Sequence, residues 1–410
     1  MAWDVLLIKT SKKPSPDDIE KSTLMLLRMI EKRYAPPIKG SSSVLIKPNV
    51  TMDKPWETGV TTCPYVVKGL IRWCMEKGAD EILIGEGSMI GVDTMKAFEV
   101  CGFMELADEL SVGLVDLNRE PTVKVKVPKG MVVKELHIAK RIFDVDLLID
   151  VAKLKTHILT LVSLGMKNLK GVLPYEGKRL LHFLGLEGGI VDLNSVVKPD
   201  LVIIEGIIGQ EGLGPLSGDP VEADILIGSK GVVEADAIAS ALMGIDPWEV
   251  AHLKLAHQKG LGEIDVNLIK VYGSELSALR RKFRRPFSSM RRKYPGVEII
   301  NGEACSGCMG AIMVALDRMQ RSGELTALMR SYGGLTIIVG PRATPPRKYK
   351  GLLVVCGKCL LRFRDKGVFI PGCPPQGLLV RDLLRMRLGL KPLYTNESLL
   401  KEAERAYGIG

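Results

Sequence analysis

Between Lys153 and Lys178 the chain gathers five lysines, a histidine and an amide: Lys153, Lys155, His157, Lys167, Asn168, Lys170 and Lys178. From Leu154 to Tyr175 there is no Asp or Glu, and apolar residues (Leu159, Leu161, Val162, Leu164, Met166, Leu169) lie between the cations. A solvated helix would carry its lysines on one face beside acidic partners at i+4, so this stretch is not one. Positive charge without local neutralisation points instead to a pocket for an anion such as carboxylate or phosphate. Gly165, Gly171 and Pro174 break the segment, which lets backbone N–H groups join in holding that anion. Lys153, Lys155, Lys167 and Lys170 are the expected anion-binding lysines, with Asn168 beside them. His157, whose ordinary pKa lies near neutrality, is the expected proton carrier. The alternative is that the lysine stems lie along the core and their ammonium groups pair with carboxylates elsewhere in the fold.

A second set of reactive side chains closes the chain. Of eight cysteines, Cys63, Cys74 and Cys101 are scattered singly, whereas Cys305, Cys308, Cys356, Cys359 and Cys373 fall in the last quarter as two Cys-x-x-Cys pairs and a single. Clustered thiols in a cytosolic chain favour a metal centre over disulfides. Cys305 and Cys308 open a helix, whose N-terminus lowers thiol pKa values. The long gap between the two pairs does not resemble a compact zinc ribbon, and five cysteines exceed what tetrahedral zinc needs. A [4Fe–4S] cluster is the favoured cofactor, with zinc as the alternative.

The elements that must position these groups alternate. WDVLLIK (3–9) reads as a strand, Pro14 to about Tyr34 as a helix, and Ser43–Val50 as a second strand ending in Lys47-Pro48-Asn49. The end of that strand is where open α/β sheets bind ligands, which adds Lys47 and Asn49 to the expected substrate-binding residues. A threonine of Thr61-Thr62 is expected to cap the helix Tyr65–Lys77. Glu81–Gly85 and Asp200–Glu205 read as further buried strands, and Thr122–Val127 with Met131–His137 as a hairpin-like insertion. Gly206–Pro220, rich in glycine, is expected to be a loop that closes over substrate or a long structural turn. Asp236, on a helix over 233–243, either faces the site or supports the helix N-terminus.

The fold class is therefore α/β, a mostly parallel sheet with helices on both faces, followed by a smaller C-terminal α/β cysteine-rich domain. The expected boundaries are 1–278 for the α/β domain, 279–296 for a basic linker and 297–410 for the cysteine-rich domain. The chain has 410 residues and a net charge of +10. Part of that charge sits in Arg280–Lys293, which suits a docking surface for a redox partner protein. No nucleic-acid-binding fold is recognisable, so specific nucleic-acid binding is not expected. No secretory signal and no membrane-length apolar run is seen, so a cytoplasmic protein without membrane contact is expected. Four Gln and seven Asn beside many charged residues hint at a thermophilic source.

Several motifs carry resemblances. Pro371-Gly372-Cys373-Pro374-Pro375 resembles the cluster-binding turn in the small iron–sulfur subunit of complex I and related hydrogenases. Ile46-Lys47-Pro48-Asn49, the run from Lys153 through Ser163 and Lys167-Asn168 to Pro174, and Gly209–Pro220 together resemble the domain of unknown function 362 family, over residues 3–275. Archaeal-type members resemble the cysteine-bearing tail as well. The family is associated with iron–sulfur binding and has no general reaction. In such members the glycine-x-cysteine position, here Gly357-Lys358-Cys359, looks like the retained ligand. The resemblance thus implies Cys305, Cys308, Cys359 and Cys373 as the four ligands, with Cys356 as spare.

A more distant similarity is to the N-terminal domain of nickel-pincer lactate racemases. It would make His157 an acid/base and Lys167 a cofactor-attachment residue. The departures are a missing second glycine after Ser163, Asn168 after the lysine, and no second catalytic histidine, since His182 reads as packed. Three functions are compatible with these features: an iron–sulfur redox or electron-transfer protein acting on an anionic small molecule, a 2-hydroxyacid racemase or epimerase, and a non-catalytic carrier in cofactor assembly.

Overall fold

The computed structural model describes residues 3–34, 38, 42–286, 293–302, 304, 306–372, 375 and 377–393. Its internal contacts divide the chain into Met1–Pro286 and Phe287–Gly410. Cys305 and Cys373 lie outside the described residues.

The first unit is built on a nine-stranded sheet. Its strands are β1 (Val5–Lys9), β2 (Ser42–Pro48), β3 (Ala79–Glu86), β4 (Gly113–Asp116), β7 (Leu147–His157), β8 (Leu161–Ser163), β9 (Leu201–Glu211), β10 (Asp219–Ser229) and β11 (Val271–Gly273), while β5 (Thr122–Lys126) and β6 (Glu135–Ala139) form a separate hairpin. The order is β11-β1-β10-β9-β7-β2-β3-β4, with β8 folded back on β7. Pairings from β9 through β7, β2 and β3 to β4 are parallel, and β10 runs antiparallel to both β9 and β1. All eleven residues of β7 are buried, as a central parallel strand covered on both faces requires.

One face packs Leu26, Leu27 and Ile30 of helix Pro16–Arg33 and Val66 and Leu70 of helix Pro64–Glu76 against Ile46, Ile149 and Ile203. The other packs Ile190 and Val191 of helix Leu186–Val196 and Ile238 and Leu242 of helix Val232–Leu242 against Ala152, Leu154, Val202 and Ile204. Among the described residues, no helix is long and apolar enough to cross a membrane.

Two local expectations are corrected. The helix after Cys63 has no side-chain cap; Thr62 Oγ1 instead accepts from Asn49 N and donates to Val151 O, tying the end of β2 to β7. The glycine-rich stretch 206–220 is mostly strand, an extension of β9 and β10 whose hairpin tip spans only 212–218. Its glycines answer to packing: a Cβ on Gly214 would stand 2.0 Å from Thr156 O.

The second unit carries a parallel sheet in the order β12 (Val297–Asn301), β13 (Leu335–Val339), β14 (Leu352–Cys356) and β15 (Val368–Ile370). Helices Ser306–Arg321, Glu324–Tyr332 and Gly377–Arg387 belong to it, and Arg381 of the last makes a buried bidentate pair with Glu324. The described start of the basic linker is occupied within the first unit. Arg284 pairs with Glu211 and Asp219, and Arg285 with Glu249 at 2.6 Å. Arg284 thus ties β9 to β10, while Arg285 is held at the 3-10 helix Pro247–Glu249.

Candidate functional site: a cationic edge of the parallel sheet

Strands β2, β3 and β7 all end on one edge of the parallel sheet, delivering Lys47-Pro48-Asn49, Glu86-Gly87-Ser88 and the alternating set Lys153, Lys155 and His157. Alternation at i, i+2 puts the last three on one face of β7. The chain then reverses through β8 into the short helical turn Gly165–Asn168, which brings Lys167 and Lys170 to the same edge.

Two of the cations are neutralised by carboxylates remote in sequence. Lys153 Nζ lies 2.7 Å from Glu205 Oε2, and both side chains are fully buried. Glu205 also accepts from Cys63 N at 3.0 Å and Ile207 N at 2.8 Å. Lys47 Nζ lies 3.0 Å from Glu86 Oε2, which accepts from Val50 N as well. Gly171 packs directly on that pair: a Cβ there would fall 1.8 Å from Glu86 Oε1 and 2.8 Å from Lys47 Nζ. The reading of lysines paired within the fold therefore holds for Lys47 and Lys153.

A second group is satisfied by neutral acceptors. Lys155 Nζ donates to Asn49 Oδ1 (2.6 Å), Val60 O (2.8 Å) and, at longer range, Thr51 Oγ1. Asn49 Nδ2 donates to Asn168 Oδ1, and Asn168 Nδ2 donates to Asp150 Oδ1, so a chain of amides links the buried carboxyl to the lysine. Burial pushes the Asp150 carboxyl up to about 7, against the pull of Lys47 and Asn168. Burial, then the charges of Lys167 and Lys153, hold Lys155 well below the usual lysine range. Lys178 Nζ donates to Gly87 O, Ser88 O and Asn118 Oδ1, and burial brings it down to about 7.

His157, Lys167 and Lys170 remain. His157 Nδ1 accepts from Leu159 N (3.1 Å) and Thr160 N (3.3 Å), which fixes the remaining ring proton of a neutral imidazole on Nε2. Burial, followed by the charges of Lys167 and Lys170, holds this histidine well below its ordinary range, so it stays neutral and presents an Nε2–H donor. Lys170 Nζ lies 2.6 Å from His182 Nε2. Lys167 is half-buried and has no hydrogen-bond or ion-pair partner among the described residues. Burial lowers it to about 8, opposed by Glu187.

The turn that carries Lys167 is held from several directions. Asp236 accepts from Gly165 N (2.7 Å) and Met166 N (2.9 Å), Asn194 donates to Met166 O, and Asn168 is bonded as above. Asp236 thus supports the N-terminus of this turn, rather than that of its own helix.

In the second unit, Cys356 ends β14 and Cys359 follows on the 3-10 helix Lys358–Lys366. Gly357, with φ +101°, lies beside two thiols: a Cβ there would be 3.3 Å from Cys308 Sγ and 3.6 Å from Cys359 Sγ. Cys308 and Cys359 are thus brought together from positions far apart in sequence. Among the described residues no group of three metal-binding side chains assembles, and Cys305 and Cys373 are outside that set.

The residues that sequence reasoning missed are Glu86, Glu205 and Asp150. Each was visible as a carboxylate within or closing an apolar strand (ILIGE, LLID, VIIE), a placement whose desolvation demands a partner.

Three comparisons relate the chain to known proteins. Over 236 residues the chain is 28% identical to the Thylakoid-associated protein sll1697 of Synechocystis sp., covering 55% of this chain and 70% of that protein. The lactate racemase apoprotein from Thermoanaerobacterium thermosaccharolyticum aligns over 98% of this chain and 89% of its own with 13% identity and a TM-score of 0.40. Residues 44–241 match the model described as Domain of unknown function (DUF362). That segment, which is similar to the DUF362 family, runs from β2 through helix Val232–Leu242 and contains Lys47, His157, Lys167, Lys170 and Asp236.

Proposed function

We propose that the first unit binds a small anionic ligand between His157, Lys167 and Lys170, and that the second holds an iron–sulfur cluster, making the chain an iron–sulfur protein that acts on an anionic small molecule. One observation supports the anion site above all. The protein answers Lys47, Lys153, Lys155 and Lys178 with its own carboxylates, carbonyls or amides and Lys170 with His182, yet gives Lys167 no partner among the described residues. Like charges gathered in a desolvated edge cost free energy that a bound anion offsets. Lys167 and Lys170 would bind the anion, and His157 would donate from Nε2 to an uncharged oxygen of the ligand. Lys47, Asn49, Lys153, Lys155 and Asn168 would shape the site from behind, their hydrogen bonds already directed into the protein.

The cysteines fit a cluster as far as they are described: thiol sulfurs suit iron, and Cys308 and Cys359 meet at Gly357. Cys305 and Cys373 would complete the set. A bound cluster would supply one-electron redox chemistry. The test is iron and acid-labile sulfide content with an absorption spectrum on protein purified without oxygen, followed by calorimetric titration with phosphate and pyruvate. About four iron and four sulfide per chain are expected, with anion binding lost in Lys167→Ala/Lys170→Ala. One zinc without sulfide rejects the cluster, and undiminished anion binding in the double variant rejects the site.

A further inference from the structure

We propose that Lys167 is a nucleophile that forms an imine with a carbonyl compound bearing an acidic group, an oxo acid being the simplest such ligand. The inference rests on the anion site above and names the class of ligand it takes.

The argument starts from the turn. Gly165 N and Met166 N donate to Asp236, Asn194 donates to Met166 O, and Asn168 accepts from Asn49 and donates to Asp150, so the turn presenting Lys167 is held in place while its amine makes no bond among the described residues. An ammonium whose task was to neutralise a protein carboxylate would have one at hand, as Lys47 and Lys153 do. The groups facing Lys167 electrostatically are Lys155, His157, Lys170 and His182, with Glu187 acting the other way. A desolvated lysine beside other cations is deprotonated more easily, which turns an ammonium into a nucleophilic amine near neutral pH. With its value lowered to about 8, about 200-fold more of Lys167 than of an exposed lysine is neutral at pH 7.

The neighbours supply the remaining requirements. Lys170 holds the carboxylate or phosphate of the ligand, and His157 Nε2–H donates to the carbonyl oxygen. The Lys167 lone pair attacks the carbonyl carbon, and the C–O π pair moves to oxygen, which takes up one of the two amine protons to give a carbinolamine. That oxygen then leaves as water while nitrogen gives up its proton, so a C=N bond replaces a C=O bond. No oxidant or reductant is required.

The experiment is reductive trapping of the intact protein with glyoxylate or pyruvate and cyanoborohydride, followed by peptide mass mapping, with calorimetry of the same ligands in parallel. A saturable adduct confined to Lys167 is expected. At saturating ligand its formation rate should rise with pH from about 8, where Lys167 begins to lose its proton, and level off before that of surface lysines, which continue to gain above pH 10. Propionate, which has the charge but no carbonyl, should slow trapping, and Lys167→Arg should bind the acid without forming the adduct. Binding with adducts spread over surface lysines overturns the imine and leaves the anion site standing. No heat of binding and no adduct at Lys167 overturn both.

Discussion

Replacing Glu205 by Gln tests whether Lys153 is part of the scaffold or part of the binding surface. The Glu205 carboxylate receives three donors: Lys153 Nζ and Cys63 N on Oε2, and Ile207 N on Oε1. A glutamine amide offers one oxygen and one NH2 group. Facing its oxygen to Ile207 turns the NH2 toward the Lys153 ammonium and Cys63 N–H; the reverse orientation opposes Ile207 N–H. Either way a buried donor is orphaned and a fully buried ammonium loses its counter-charge. Breaking a buried ion pair from one side costs about 3–5 kcal/mol. For a unit of this size, with an unfolding entropy of about 0.6 kcal/mol/K, that lowers Tm by roughly 5–8 °C.

The assay reads the correct unit without dissection, because all four tryptophans (Trp3, Trp56, Trp73 and Trp248) lie before residue 286. Urea unfolding followed by tryptophan fluorescence should show a lower midpoint at unchanged slope. The double variant Lys153→Met/Glu205→Met removes both charges and should fall within about 1–2 kcal/mol of the wild type, or above it. It should also keep its affinity for phosphate. A Glu205→Gln loss below about 1 kcal/mol, or loss of anion binding in the folded double variant, would refute the assignment of Lys153 to the scaffold.

Three further outcomes are expected. Gly171→Ala places a methyl group inside the Lys47–Glu86 pair, so a loss of about 3 kcal/mol or more is expected by the same urea assay, and wild-type stability would count against that packing. Anion affinity should fall as pH rises through about 8, because the ligand prefers charged Lys167; proton uptake on binding, read by calorimetry in buffers of different ionisation enthalpy, checks it. The same depressed pKa makes Lys167 destabilising below about pH 8 and relieves that cost between about 8 and 10.4, where the unfolded chain still binds the proton. Cys308→Ala and Cys359→Ala should lose iron while Cys356→Ala retains it; equal loss in all three would return Cys356 to the ligand set.

What the sequence revealed and what it withheld follow from the range of the interactions. Strands such as Val5–Lys9 and Ser42–Pro48 and the helix from Pro16 were legible because apolar periodicity and caps are local. Gly206–Pro220 was misread as a loop because glycine density signals turns, whereas here Gly206 and Gly214 clear space for Leu154 and the Thr156 carbonyl, contacts that exist only once β9 lies beside β7. The lysine-rich stretch was singled out for its uncompensated local charge, and its cations do gather at one edge of the sheet. Its internal division was hidden, since Glu86 and Glu205, which neutralise Lys47 and Lys153, sit on other strands. A local count of carboxylates therefore overstates the charge available to a ligand. The same reasoning changes the assignment of roles at His157. Composition marks histidine as the group that titrates near pH 7, but burial and then the neighbouring lysines hold this one neutral, and two backbone N–H donors to Nδ1 leave its proton on Nε2. The groups brought toward neutral pH are instead Asp150 and Lys178, at about 7, and Lys167, at about 8; of these it is Lys167 whose turn is held by Asp236 and whose amine the described protein leaves unbonded.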